Sequence, residues 1–164
     1  MTKNYIELLT DASQKNIDEW LARYPYEKRR SALLPALHVA QDQNGGYLTD
    51  NLLQAVADYI DVPKIYAYEA ATFYSMFELK PVGRNKVYVC NSVCCMLRGS
   101  DDIIEQLKAK LNINLGETTP DGKITLKEVE CLAACGGAPA MMVNKTYHEN
   151  LTSEKIDEIL QGLE

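Results

Sequence analysis

The chain has 164 residues, 46% of them hydrophobic, and a formal net charge of -6. That is enough apolar material for one domain or two small ones and excludes a globally disordered chain. The acidic balance excludes nucleic acid as a partner, since phosphate binding needs clustered Lys and Arg and the longest basic run is Lys28-Arg29-Arg30.

The first half reads as helices. In SQKNIDEWLARYP, Ile17, Trp20, Leu21 and Tyr24 recur at i, i+3, i+4 and i+7, with Ser13 as the expected N-cap and Pro25 as the stop. SALLPALHVAQDQ gives a second helix with Leu33, Leu37 and Ala40 on one face, where Pro35 is expected to end the first turn or kink it. Asn44-Gly45-Gly46 is a turn, and Thr49 caps a third helix bearing Leu52, Leu53, Val56 and Ile60. After the break at Asp61-Val62-Pro63 a fourth helix carries Tyr66, Ala70, Phe73 and Phe77. Residues 1–82 are thus expected to form a small helical bundle. Its aromatics Tyr66, Tyr68, Phe73, Tyr74 and Phe77 are either bundle core or a surface for docking a partner.

Pro81-Val82-Gly83 marks a boundary, and residues 83–164 change pattern. KVYVC is a short strand, Ser100 is the expected cap of a helix bearing Ile103, Ile104, Leu107 and Leu111, and Gly116 to Gly122 is loop. KITLKEVEC and PAMMVN are strands, NKTYH turns back as a hairpin, and Thr152-Ser153 opens a last helix with Ile156, Ile159, Leu160 and Leu163. The fold class is α+β. The β-α-β-β-α order of this half suits a small sheet with two helices, as in a thioredoxin-like domain.

All five cysteines fall in two clusters of this second half: Cys90, Cys94 and Cys95 in VYVCNSVCCMLRGSD, and Cys131 and Cys135 in VECLAACGGAPAMMVN. No apolar run spans a bilayer, so no direct membrane insertion is expected, and MTKNYIELLTDASQ has neither a signal-peptide core nor an Arg-rich transit pattern. In a reducing cytoplasm, clustered cysteines bind metal or do redox work. The spacing that fits best is C-x4-C (Cys90, Cys95) with C-x3-C (Cys131, Cys135), two thiolates for each iron of a [2Fe-2S] cluster. Adjacent Cys94 and Cys95 do not easily ligate together, and spacing alone does not choose the spare. Gly99, Gly136 and Gly137 are expected to let amides approach sulfur. Arg98 adds positive charge, and Met96, Ala133, Ala134 and Ala138 are expected to form an apolar wall.

C-x4-C is wider than a zinc knuckle, His38 and His148 lie outside both clusters, and no thioredoxin-type C-x-x-C is present. A zinc-stabilised interaction module and a dithiol oxidoreductase remain the rivals to iron and sulfur. The chain has no G-x-G-x-x-G and no P-loop, so no NADH or flavin site of its own is expected.

From about Tyr24 to Leu160 the sequence resembles the small thioredoxin-fold [2Fe-2S] subunits (the E subunits) of NADH:quinone oxidoreductase, respiratory complex I. The resemblance rests on YPYEKRRSALLPALHVAQDQNGGYLT, YEAATFYSMFELKPVGRNKVYVC, CCMLRGSDD, GETTPDGKITLKEVECLAACGGAP and YHENLT. It implies that Cys90, Cys95, Cys131 and Cys135 hold one [2Fe-2S] cluster and that Cys94 is the spare, where relatives carry proline or another small residue. Gly136-Gly137 departs from a bulkier pair. The resemblance further implies a non-catalytic, electron-carrying subunit that exchanges one electron with the FMN of a larger, NADH-oxidising flavoprotein partner (the F subunit). Other peripheral-arm subunits would be further partners, on the cytoplasmic side of the bacterial inner membrane. The equivalent diaphorase subunit of an NAD-linked hydrogenase or formate dehydrogenase is the alternative within the same chemistry.

Overall fold

The structure, a computed structural model, describes residues 5–163, so Glu164, the end of the expected last helix, lies outside them. The chain divides into two compact units, Met1–Pro81 and Val82–Glu164.

The first unit contains α1 (Asp11–Leu21), α2 (Leu33–Gln43), α3 (Asp50–Ile60) and α4 (Lys64–Phe73), with 3-10 segments at Tyr5–Leu8 and Tyr26–Ala32. The N-cap of α1 is Thr10 rather than Ser13: its hydroxyl accepts from the Ser13 amide at 3.2 Å. The earlier start buries Leu9 and lets the Gln14 side chain reach the Leu9 carbonyl at 2.9 Å. Pro35 neither ends nor kinks α2, because it falls in the first turn, where a helix has no intrahelical partner for an N–H. Thr49 does cap α3, accepting from the Leu52 amide at 3.2 Å, and Asp61 closes that helix in the left-handed region at φ 56°. Helix α4 stops at Phe73, so Phe77 reaches the core from the segment beyond it and packs against His38, with ring centroids 4.8 Å apart. Buried Gln41 holds that segment from α2: its amide donates to the Met76 carbonyl at 3.1 Å and accepts from the Glu78 amide at 2.8 Å. The core joins Ile17, Leu37, Leu53, Val56 and Ile60.

The second unit contains β1 (Asn85–Cys90), α5 (Val93–Met96), α6 (Ser100–Leu111), β2 (Ile124–Val129), β3 (Met141–Val143), β4 (Thr146–His148) and α7 (Ser153–Gln161). NKTYH supplies β4, and the one-turn helix α5 is an element that hydrophobic periodicity does not reveal. Four residues are too few to show a period. Ser100 is not a cap: Gly99, at φ 91°, takes that place, and Ser100 is buried inside the first turn. The sheet order is β2-β1-β3-β4, with β1 and β2 parallel and the other two pairings antiparallel. Val87, Val89, Leu126 and Met141 from the sheet meet Leu107 of α6 and Ile156 of α7 in one core. Among the described residues no helix is long and apolar enough to cross a membrane.

Candidate metal centre

The parallel pairing of β1 with β2 gathers the cysteines. The register runs from Asn85 opposite Ile124 to Cys90 opposite Val129, so both strands end side by side. Cys90 is the last residue of β1, and Cys131 follows β2 by two residues. The Asn91 amide donates to the Val129 carbonyl at 3.0 Å and extends the pairing into the first loop. Helix α5 then turns Cys95 inward, where it is buried in one cluster with Cys90, while Cys94 faces out. All five cysteines are free thiols.

In the second loop Ala133 takes a left-handed conformation, φ 55°, and its amide donates to the Cys131 sulfur at 3.3 Å. A 3-10 turn, Cys135–Gly137, carries the fourth thiol. The amide found on sulfur comes from Ala133 rather than from the expected glycines. Gly137 is instead held close for packing: a Cβ there would overlap the Glu149 carboxylate and stand 2.5 Å from the Glu149 Cβ. The Asn150 amide also lies 2.5 Å from the Gly137 carbonyl.

Burial divides the thiols. Cys90 is 3% exposed and Cys95 2%, walled by Ala138, Ala140, Leu132 and Ala134, whereas Cys94, Cys131 and Cys135 are exposed. The expected apolar wall therefore covers only the first pair, since Met96, Ala133 and Arg98 are themselves exposed. Burial pushes the Cys95 thiol up to about 11, and the neighbouring Cys90 thiol adds to it. The Cys135 thiol is also raised, first by the neighbouring Cys94 thiol, then by desolvation and by Cys131 and Cys90.

This donor set fits an iron–sulfur group. Thiols crowded together, with Cys95 and Cys135 both raised by their neighbours, ionise together only around compensating positive charge, and metal binding releases their protons. Among the described residues no three His, Cys, Asp or Glu side chains converge on a single metal position. A two-iron cluster asks for something else, two thiolates for each iron.

The aromatic residues of the first unit separate. Phe77 is in the core, and Tyr66 lies under the Arg30 guanidinium at 3.8 Å. Phe73 is 79% exposed, and Tyr68 and Tyr74 are exposed too. Phe73 and Tyr74 edge an open groove of about 660 Å³ with Arg30, Leu34 and Glu69.

Known proteins are similar to this chain along most of its length. The model of the thioredoxin-like [2Fe-2S] ferredoxin family matches residues 17–164. The E subunit of the NADH-quinone oxidoreductase of Rickettsia bellii is 48% identical over 146 residues, spanning 89% of this chain and 87% of that protein. The mitochondrial NADH dehydrogenase [ubiquinone] flavoprotein 2 of Dictyostelium discoideum is 45% identical over 156 residues, spanning 93% of this chain and 63% of that protein. Among solved structures, an NAD+-reducing [NiFe]-hydrogenase in the air-oxidized state is alike in fold, with a TM-score of 0.67 at 24% identity. That match covers 79% of this chain and 22% of the hydrogenase chain. Two thiol pairs at the paired ends of parallel strands, in a sequence so matched along most of its length, have one reading: the chain belongs to the thioredoxin-like [2Fe-2S] ferredoxin family.

Proposed function

We propose that this chain is the [2Fe-2S] electron-transfer subunit of the NADH-oxidising module of an NADH:quinone oxidoreductase. The observation that carries the reading is the gathering of Cys90, Cys95, Cys131 and Cys135 by the in-register ends of β1 and β2. Cys90 and Cys95 would hold one iron and Cys131 and Cys135 the other. When bound, the cluster supplies a single reversible electron. The residues around it set the conditions. The Ala133 amide points at sulfur and favours the more negative state, and the apolar wall excludes water from the first pair. The exposed second pair leaves a short path for an electron.

The chain is a non-catalytic part of a multi-subunit oxidoreductase. NADH oxidation and the FMN belong to a flavoprotein partner, the F subunit of the bacterial arrangement. The exposed Tyr68, Phe73 and Tyr74 of the helical unit are the proposed docking contacts, since aromatics are enriched at interface cores. The place of action is the cytoplasmic face of the inner membrane, reached through the assembled complex.

The test is low-temperature EPR on anaerobically purified protein, before and after dithionite, with iron, sulfide and zinc measured on the same sample. The expected result is about two irons per chain and one S = 1/2 signal on reduction. Stoichiometric zinc, with no signal after attempted reconstitution with iron and sulfide, overturns the reading in favour of a structural module. Co-purification with hydrogenase subunits in place of an NADH:quinone oxidoreductase flavoprotein reassigns the complex and keeps the chemistry.

A further inference from the structure

Helix α5 has two faces of opposite character. Its inner side carries Cys95, buried in a cluster with Cys90, Ala138 and Ala140 against which Leu132 and Ala134 of the second cysteine loop pack. Its outer side carries Val93, Met96 and Leu97, all exposed, Leu97 at 76%. They stand at i, i+3 and i+4, and the Leu97 amide donates to the Val93 carbonyl at 2.9 Å, so they fall on one helical face. Single exposed apolar side chains are ordinary on a protein surface, whereas three grouped on one turn mark a surface built for contact. From Asn91 to Leu97 the sequence has no charge. Arg98 ends that run, exposed and without an ion pair among the described residues.

The apolar wall of the metal centre is incomplete, for it covers Cys90 and Cys95 and leaves Cys131 and Cys135 exposed. Leu132 and Ala134, which flank those two cysteines in the chain, tie the exposed pair to the same end of the sheet as α5. Resting on the electron-transfer reading above, we propose that the outer face of α5 is where the flavoprotein partner docks on this unit. The partner lays an apolar surface over Val93, Met96 and Leu97 and sets a carboxylate against Arg98. The exposed thiol pair is what the partner has to reach, and a contact at this end of the sheet brings it there and keeps water from that pair. A second copy of the chain fits the face less well. Each copy carries a net charge of -6, and pairing through α5 closes the approach to the thiols.

The experiment measures, by calorimetry, binding of the iron-loaded full chain to the F subunit of the same NADH:quinone oxidoreductase, for wild type, Leu97→Asp, Arg98→Glu and Tyr147→Asp. Tyr147 is an exposed residue of β4, outside the face. Leu97→Asp is expected to weaken binding by about tenfold or more, and Arg98→Glu by several-fold with a loss that shrinks at high salt. Tyr147→Asp is expected to bind as wild type does. Iron content and the EPR signal of each isolated variant should match wild type, which separates lost docking from lost folding. Leu97→Asp with wild-type affinity overturns the proposal, as does an equal loss in Tyr147→Asp. Should Leu97→Asp not fold, amide exchange of wild type with and without the F subunit decides. Docking on α5 slows exchange over residues 93–98 several-fold, and an unchanged rate overturns the proposal. A dimer of the isolated chain that Leu97→Asp dissociates, with affinity for the F subunit unchanged, assigns the face to a second copy and overturns it too. A wild type that takes up no iron, or that loads and does not bind the F subunit, sinks the reading above and this proposal with it. A wild type that loads and binds, with variants that behave otherwise than expected, sinks this proposal alone.

Discussion

Ala133 and Gly137 show how the second cysteine loop is shaped one residue at a time. Alanine at φ 55° costs about 1 kcal/mol relative to the right-handed region, and in return its amide is aimed at the Cys131 sulfur at 3.3 Å. Gly137 faces the opposite constraint, for it is the Glu149 side chain that fills the space a Cβ would take. Since the Glu149 Cβ as well as its carboxylate crowds that position, a new methyl cannot be relieved by moving the carboxylate alone. Gly137→Ala is therefore expected to lose about 1–3 kcal/mol of stability by overpacking. Adding Glu149→Gly, which removes the crowding Cβ as well as the carboxylate, should restore most of it. Denaturant melts of the two variants check this, and a loss that the second substitution leaves unchanged would show that Glu149 is not the obstacle.

At the scale of elements, polar ties fix how the helices of the first unit meet. The Tyr59 hydroxyl of α3 donates to the Asp18 carboxylate of α1 at 2.9 Å. Burial and then that carboxylate push Tyr59 from its ordinary value of 10.0 to about 12. The unfolded chain releases the same proton near 10.0, so the unfolded state binds fewer protons between the two values. The tie's contribution is thus complete below the lower value and is lost as pH rises toward the upper one. Tyr59→Phe is expected to cost about 1 kcal/mol at neutral pH. Its stability should then fall less steeply than the wild type's over the alkaline window. Thermal melts across that window read both effects, and parallel slopes would refute the assignment. Gln41 acts in the same way between α2 and the segment after α4, where its two hydrogen bonds stand in for the helix that ends at Phe73.

At the scale of the molecule, the described residues give each unit its own main hydrophobic core, with a small cluster around Cys90, Cys95, Ala138 and Ala140 added in the second unit. The cysteines sit wholly in the second, at the ends of β1 and β2, so a cluster there closes two loops of that unit only. Removing iron is expected to lower amide protection over residues 128–140 and at the end of β1, while protection in α3 stays unchanged. Hydrogen exchange on loaded and iron-free protein measures this, and an even loss through both units would mean that the cluster supports the entire chain. A cluster confined to one unit leaves the other free for a partner, and the exposed Tyr68, Phe73 and Tyr74 are on that other unit.

By itself the sequence determined the chemistry and most of the elements. Two cysteine clusters in an otherwise cysteine-free chain point to a thiolate metal centre because few other uses need that grouping. Leu52, Leu53, Val56 and Ile60 announce α3 because a buried face imposes its period locally. Cap positions were less legible, since Thr10 and Ser13 are equally able to cap and only the burial of Leu9 separates them. What the tertiary structure alone decided was which groups meet across long stretches of chain. Parallel pairing places Cys90 beside Val129, Gln41 meets Met76 and Glu78, and Glu149 fills the space at Gly137. The same holds for Cys95, which is buried with Cys90 because α5, a helix too short to have a period, brings it back to the end of β1. Local pattern records local burial, whereas these pairings depend on strand register and loop path, which no window of sequence contains.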